Sequence, residues 1–233
     1  MRGSASRAPS YDPKHVGLLG LLGAGLMLLG AGLWSTTSNA DLDLALANGR
    51  IGEYLEAAGQ YQTALVSNLL AWIVGALGLG AAGTAMAGLA GGAGLIRDLV
   101  RFIYGVGAAI ATSAFVAWLA IVVQLPGDIG PTEIAIAEVV GWYAYRLDSV
   151  ATVLLVGVGP ALVSWSGRET WVPRWLFGWG NLAALVGFSS FLPYFVPSIP
   201  LSFGLLIVPV GIGWTVAAGI VLLRSRPQGS GEK

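Results

Sequence analysis

Six apolar stretches, each long enough to cross a bilayer, divide this chain of 233 residues, and its basic residues fall between them on alternating sides. A hydrocarbon core about 30 Å thick takes roughly 20 apolar residues of helix to cross. Lipid offers backbone polar groups no partner, so only helices or a closed barrel can span it. The stretches cover about residues 16–34, 63–90, 99–125, 148–165, 175–194 and 201–223, too long and unalternating for barrel strands. The sequence therefore predicts an all-α integral membrane protein with six transmembrane helices, a tail over 1–15, a membrane domain over 16–224 and a tail over 225–233.

Taken as spans, these stretches sort the charge. Arg2, Arg7 and Lys14 precede the first, Arg97 and Arg101 separate the second from the third, and Arg168 and Arg174 separate the fourth from the fifth. Arg224, Arg226 and Lys233 follow the sixth, and only Arg50 and Arg146 fall on the other side. An excess of Lys and Arg marks the cytoplasmic side, so both termini are expected in the cytoplasm, in the plasma membrane of a bacterium. The opposite side holds Asp41, Asp43, Glu53, Glu56, Asp128, Glu133, Glu138 and Asp148. The formal net charge of zero thus conceals a separation of charge across the membrane.

Composition agrees. Only 10% of residues are charged and 55% are hydrophobic, where a soluble domain carries about a quarter charged. No basic face is large enough for nucleic acid. The expected partners are the lipid bilayer and either another membrane protein or a second copy of the chain.

Two polar segments lie between spans on the outer side. Residues 38–62 carry a broken apolar stripe at Leu42, Leu46, Leu55 and Ala58, with Ser38 or Asn39 as a helix start. Such a segment lies on the membrane surface or folds back over the helix ends. Residues 131–147 are read as a second amphipathic outer segment, with the fourth span starting at Asp148. The alternative merges residues 133–157 into one tilted span and moves Arg146 toward mid-bilayer, where an arginine costs at least ~2.5 kcal/mol; the interfacial reading avoids that cost.

Helix association in lipid depends on close backbone approach. Ala76, Gly80, Thr84 and Gly88 recur every four residues along the second span, and Gly105, Ala109, Ser113 and Ala117 along the third. A short loop joins these helices, so the two stripes are expected to face each other. Trp165, Trp171, Trp175 and Trp179 crowd the inner end of the fourth and fifth spans and read as an interfacial belt, while Trp72 and Trp118 lie within or near the ends of the second and third.

Catalytic and cofactor chemistry finds little material. The chain has no cysteine and one histidine, His15, at the start of the first span. That excludes thiolate chemistry, bis-histidine haem and multi-imidazole zinc sites. Both lysines lie outside the spans, and only one aspartate, Asp148, stands near one. No enzymatic activity, cofactor or metal is expected.

The strongest polar cluster is Glu138, Arg146 and Asp148, with Trp142 four residues before Arg146 and placed for a cation–π contact. It reads as an interfacial charge group or an ion or proton access point. Inside the spans, Asn68 and Asn181 can hydrogen-bond between helices for about 1 kcal/mol each. Pro160 and Pro209 are expected to interrupt the fourth and sixth spans.

Residues 145–226 contain YRLD, a span, RETWVPRWLFGWGNL, a span, a proline-rich turn and a last span ending LLRSRP. This resembles a group of uncharacterised six-span bacterial membrane proteins that share a Pro-Arg-Trp-Leu start to the fifth helix. The resemblance implies the architecture and no activity. The expected function is a non-enzymatic accessory or interaction subunit of a membrane assembly. The rival is a small-solute or ion transporter with its site between spans four to six, and an intramembrane enzyme ranks third.

Overall fold

The computed structural model describes residues 11–37, 41–90, 94–127, 129–190 and 206–225. Every regular element among them is helical: α1 (Pro13–Ser35), α2 (Leu42–Asn48), α3 (Ile51–Gln60), α4 (Gln62–Leu89), α5 (Leu95–Gln124), α6 (Pro131–Gly167), α7 (Arg174–Ser189) and α8 (Ile207–Arg224). Five of them, α1, α4, α5, α6 and α8, are long and apolar enough to cross a membrane. With 16 residues, α7 reaches about 24 Å at ~1.5 Å per residue. The residues expected to complete its span, the proline-rich turn and the start of the last span lie outside the described residues. So do Ser38, Asn39, Asp128 and the basic residues Arg2, Arg7, Arg226 and Lys233.

Glycine sets the packing at one end of the bundle. A Cβ on Gly17 of α1 would stand 2.7 Å from the Gly219 carbonyl of α8, and one on Gly23 would stand 2.8 Å from the Leu79 amide of α4. The start of α1 and the end of α8 therefore lie together, and we call this end the terminus side. The other end, the cap side, is covered by α2 and α3. Asp41 starts α2 by accepting a hydrogen bond from the Leu44 amide at 3.0 Å, and Gly49, at φ 65°, ends it in the left-handed region that glycine tolerates. Leu42, Leu46, Leu55 and Ala58, the stripe expected from the sequence, are all buried. They fold over the bundle: Leu46 meets Gly141 of α6, and the Trp118 indole of α5 donates to the Tyr54 hydroxyl of α3 at 2.9 Å.

The outer segment and the fourth span are one helix. α6 runs unbroken for 37 residues, about 55 Å at ~1.5 Å per residue, which is nearly twice the bilayer core. Nothing in its sequence breaks it at residue 147, since glycine and proline are absent from Trp142 to Val156. A helix that overshoots the bilayer still leaves Asp148 near the cap-side boundary, about 28 Å from the end at Gly167. The cost that motivated a break is avoided by length instead.

Within α6, residues 153–158 form a π-helical turn. Pro160 follows, and it has no N–H to offer the Val156 carbonyl four residues back. Gly211 of α8 packs directly on the Val156 carbonyl, at a separation no Cβ could share. Pro160 thus falls where the α-helical hydrogen-bond pattern is interrupted, as expected, although the helix continues to Gly167. Pro209 does not: it sits in the first turn of α8, where the missing N–H is no loss.

The two small-residue stripes border one groove, lined by Gly80 and Thr84 of α4 and Gly105 and Ala109 of α5, and do not pack into each other. Gly80 does face α5, where a Cβ would stand 2.6 Å from the Ala108 Cβ and 3.2 Å from the Tyr104 carbonyl. The α5 face turned inward is Tyr104, Ala108, Ala111, Phe115 and Trp118, all buried. Gly105, Ala109 and Ser113 are exposed, Ala117 is half-buried, and a Cβ on Gly105 would meet nothing. The reason is volume: large side chains bury more surface against α6 and the cap than a glycine stripe would. On α4, Ala76 is buried with Gly80, while Thr84 and Gly88 are half-buried.

Candidate functional site

A cavity of about 330 Å³ occupies the cap-side half of the bundle, at the small end of the range for ligand pockets. α1 contributes Met27, Leu28, Ala31 and Trp34; α4 contributes Trp72, Ala76 and Leu79; α5 contributes Ala111, Phe115 and Trp118. α6 adds Asp148, Ala151, Thr152, Leu155 and Val156, α8 adds Val208, Pro209 and Ile212, and α2 adds Asp43 from the cap. Among the described residues α7 lines none of it. Its exposed lining residues, Leu28 and Pro209, belong to α1 and α8, so the mouth borders the cap-side halves of these two helices.

The helices that supply each wall explain its chemistry. Ala31 and Ala76 are small where larger residues would fill the space, and the rings stand around them. Trp72 lies 5.3 Å from Phe115 and 6.1 Å from Trp118 between ring centroids. The Trp72 indole donates to the Met27 carbonyl at 3.1 Å, and a Cβ on Gly30 would collide with its ring. Trp72 and Trp118 are therefore fixed cavity walls. Trp165 and Trp175, both at the terminus side and exposed, keep the belt position.

Two carboxylates meet this aromatic pocket. Asp148 accepts a hydrogen bond from the Thr152 hydroxyl one turn on, at 3.5 Å. Asp43 enters from α2, and its Oδ1 is buried without a hydrogen-bond partner. Burial, with Asp148 and Asp41 adding negative charge nearby, pushes the Asp43 carboxyl up to about 8. The Trp34 indole nitrogen is also buried and unpartnered. The expectation that a single aspartate stands near the spans is thus corrected: tertiary folding brings Asp43 to Asp148.

Asp148 is the one member of the sequence-derived polar cluster that reaches the cavity. Glu138 is exposed on the same helix, ten residues and about 15 Å away. Arg146 is exposed and lies over Trp142 at 5.4 Å and Tyr145 at 5.8 Å, the cation–π contact that the four-residue spacing allows. Asn68 is buried and donates to the Gly30 carbonyl of α1 at 2.7 Å. Asn181 donates to the Phe177 carbonyl of its own helix at 2.8 Å and accepts from the Trp165 indole of α6 at 2.9 Å. Both asparagines tie helices together outside the cavity.

Below the cavity the bundle is tightly packed. Tyr104 of α5 is wedged between Gly83 of α4 and Gly159 of α6; a Cβ on Gly83 would overlap its ring, and one on Gly159 would stand 2.7 Å from it. Among the described residues no group of three or more His, Cys, Asp or Glu is placed to hold a metal ion. No protein-family model matches the chain, and neither a curated protein nor a solved structure matches it.

Proposed function

We propose that this chain is a multi-pass membrane protein that binds a small amphiphilic solute in its cap-side cavity, as a carrier does in its outward-facing state. The observation that carries the reading is the asymmetry of the bundle. An aromatic cavity with two carboxylates fills one half, and in the other Tyr104 is wedged between Gly83 and Gly159 and Gly17 meets the Gly219 carbonyl. Apart from the indoles, the polar side chains that line the cavity are Asp43, Asp148 and Thr152, and we propose binding or passage without chemistry on the solute.

The orientation belongs to the same proposal. Lys14, Arg97, Arg101, Arg168, Arg174 and Arg224 stand at the terminus-side ends of their helices, which favours a cytoplasmic terminus side. The cap then faces outward, in the plasma membrane of a bacterium. The resemblance of residues 145–226 to six-span bacterial proteins supports α7 as a sixth crossing.

Accessibility tests the cavity. Ala24 and Ala31 are seven residues apart on one face of α1; Ala24 is fully buried and Ala31 lines the cavity. The chain has no native cysteine, so Ala31→Cys and Ala24→Cys each introduce a single thiol. In native membranes N-ethylmaleimide should modify position 31 at least about tenfold faster than position 24. Equal rates would sink the reading.

A second reading, the interaction subunit, rests on Gly105, Ala109 and Ser113. All three are exposed, and Gly105 and Ala109 line a shallow groove together with Leu19 of α1 and Leu77 and Ala81 of α4. Small residues on a lipid-facing surface allow another helix to approach closely. Ala109→Leu should release a bound partner or second copy in mild detergent; a particle mass unchanged by this substitution and equal to one chain would remove this reading.

A further inference from the structure

We infer that the solute of the cap-side cavity is an organic cation, a protonated amine on a small apolar or aromatic body, held between Asp43, Asp148 and the tryptophan walls. The inference rests on the proposed binding cavity and names its ligand class.

Three observations select this class. First, the cavity's acceptors are carboxylates, and the Oδ1 atom of Asp43 is buried with nothing donating to it. A buried acceptor left unmade is costly, more so when it is ionisable, so a donor that carries positive charge is the complement it lacks. Second, the other walls are aromatic and aliphatic. The faces of Trp34, Trp72 and Trp118 attract an ammonium group through the ring quadrupole, while Leu79, Leu155 and Ile212 match a hydrocarbon body.

Third, the wall is wrong for the two simpler cations. Calcium and magnesium take about six or more oxygen ligands, and sodium likewise exchanges its water for a shell of several oxygens. Here two carboxylates and the Thr152 hydroxyl stand among apolar side chains. A lone proton needs no aromatic chamber of about 330 Å³. The mouth between α1 and α8 is bordered by the exposed apolar residues Leu28 and Pro209, which suits a solute that partitions into the membrane before it binds.

The test uses the full chain in nanodiscs, read by intrinsic tryptophan fluorescence at pH 9, where the Asp43 carboxyl is ionised. The probes are 2-phenylethylamine and 2-phenylethanol, which share a body and differ in charge. The amine should quench saturably, with an affinity at least about tenfold above that of the alcohol. Asp43→Asn should erase that preference, Asp43→Glu should keep it, and Asp148→Asn should reduce it. Ala31→Trp, which fills the chamber, should abolish the response to both. If Asp43→Asn fails to fold, Asp148→Asn decides.

An alcohol that binds as tightly as the amine, with both blocked by Ala31→Trp, would overturn the cationic class and leave the cavity reading intact. Saturable heat from sodium chloride alone, lost in Asp43→Asn, would overturn it in favour of an inorganic ion. Binding of both probes that ignores Ala31→Trp, or no binding of either, would overturn the inference together with the cavity reading beneath it.

Discussion

A carboxyl group that is neutral at pH 7 stabilises a fold differently from one that is charged. Asp43 titrates at about 8 in the folded protein and close to 3.9 in an unfolded chain. Between those values the folded state holds the proton that the unfolded state has released. Stability then falls as pH rises through that window and levels off above it. The groups facing Asp43 are Asp148 of α6, Asp41 of α2 and Tyr54 of α3, and none is a cation. The carboxyl is half-buried, so the discounted effect is on the order of 1–3 kcal/mol. Thermal melting in detergent should therefore show a midpoint several degrees lower at pH 9 than at pH 5, with Asp43→Asn flattening the difference. A wild-type midpoint that rises over this range by more than that of Asp43→Asn would refute the assignment. Of the two aspartates only Asp148 was legible in the sequence, because it borders an apolar run. Asp43 lies in a polar stretch beside Asp41, and the fold of α2 over α6 that makes it special is a tertiary event with no local signature.

Contacts between elements separate glycines that matter from glycines that do not. Gly80 and Gly105 look alike as sequence, each opening a stripe with four-residue spacing. Their surroundings differ: one abuts the Ala108 Cβ and the other faces open space. Gly80→Leu should force α4 and α5 apart and lower stability by about 1–3 kcal/mol, the usual cost of overpacking. Gly105→Leu should stay within about 0.5 kcal/mol. Denaturation of the two variants side by side measures this directly, and equal losses would mean that α5 is rotated relative to the arrangement described here. The spacing of small residues was visible in the sequence. Which of two neighbouring faces turns inward was not, because Tyr104, Phe115 and Trp118 outweigh the glycine stripe through burial that only the assembled bundle defines. The fusion of residues 131–167 into one helix was missed for a related reason. Hydropathy locates a span, but the end of a helix is set by breakers, and between Trp142 and Val156 there is none. Pro160 was legible as an interruption, whereas the close approach of Gly211 to the nearby Val156 carbonyl depends on a residue 51 positions later in the chain.

At the scale of the whole molecule the charge separation and the cavity point the same way. The basic residues stand at the end where Gly17 meets the Gly219 carbonyl, and the acidic cap covers the end that holds the cavity. Alternating apolar spans and basic loops made this polarity readable from sequence, since insertion itself reads it. The cavity was not readable, because it arises from six elements that are apolar for two separate reasons, lipid contact and mutual packing. On the proposed carrier reading, one half stays closed while the other is open, and Tyr104 is the residue placed to do so. Its ring fills the space between Gly83 and Gly159, directly under the cavity floor at Leu79 and Val156. Removing it by Tyr104→Ala should cost about 3–5 kcal/mol in packing and open a path from the terminus side. The readout is the single cysteine of Ala31→Cys, challenged with a charged, membrane-impermeant maleimide in inside-out vesicles. With Tyr104 intact the thiol should be protected, Tyr104→Phe should protect it equally, and Tyr104→Ala should let it react. Protection that survives Tyr104→Ala in a folded protein would place the barrier in the Gly17–Gly219 contact between α1 and α8, since that is the next layer of backbone packing toward the terminus side.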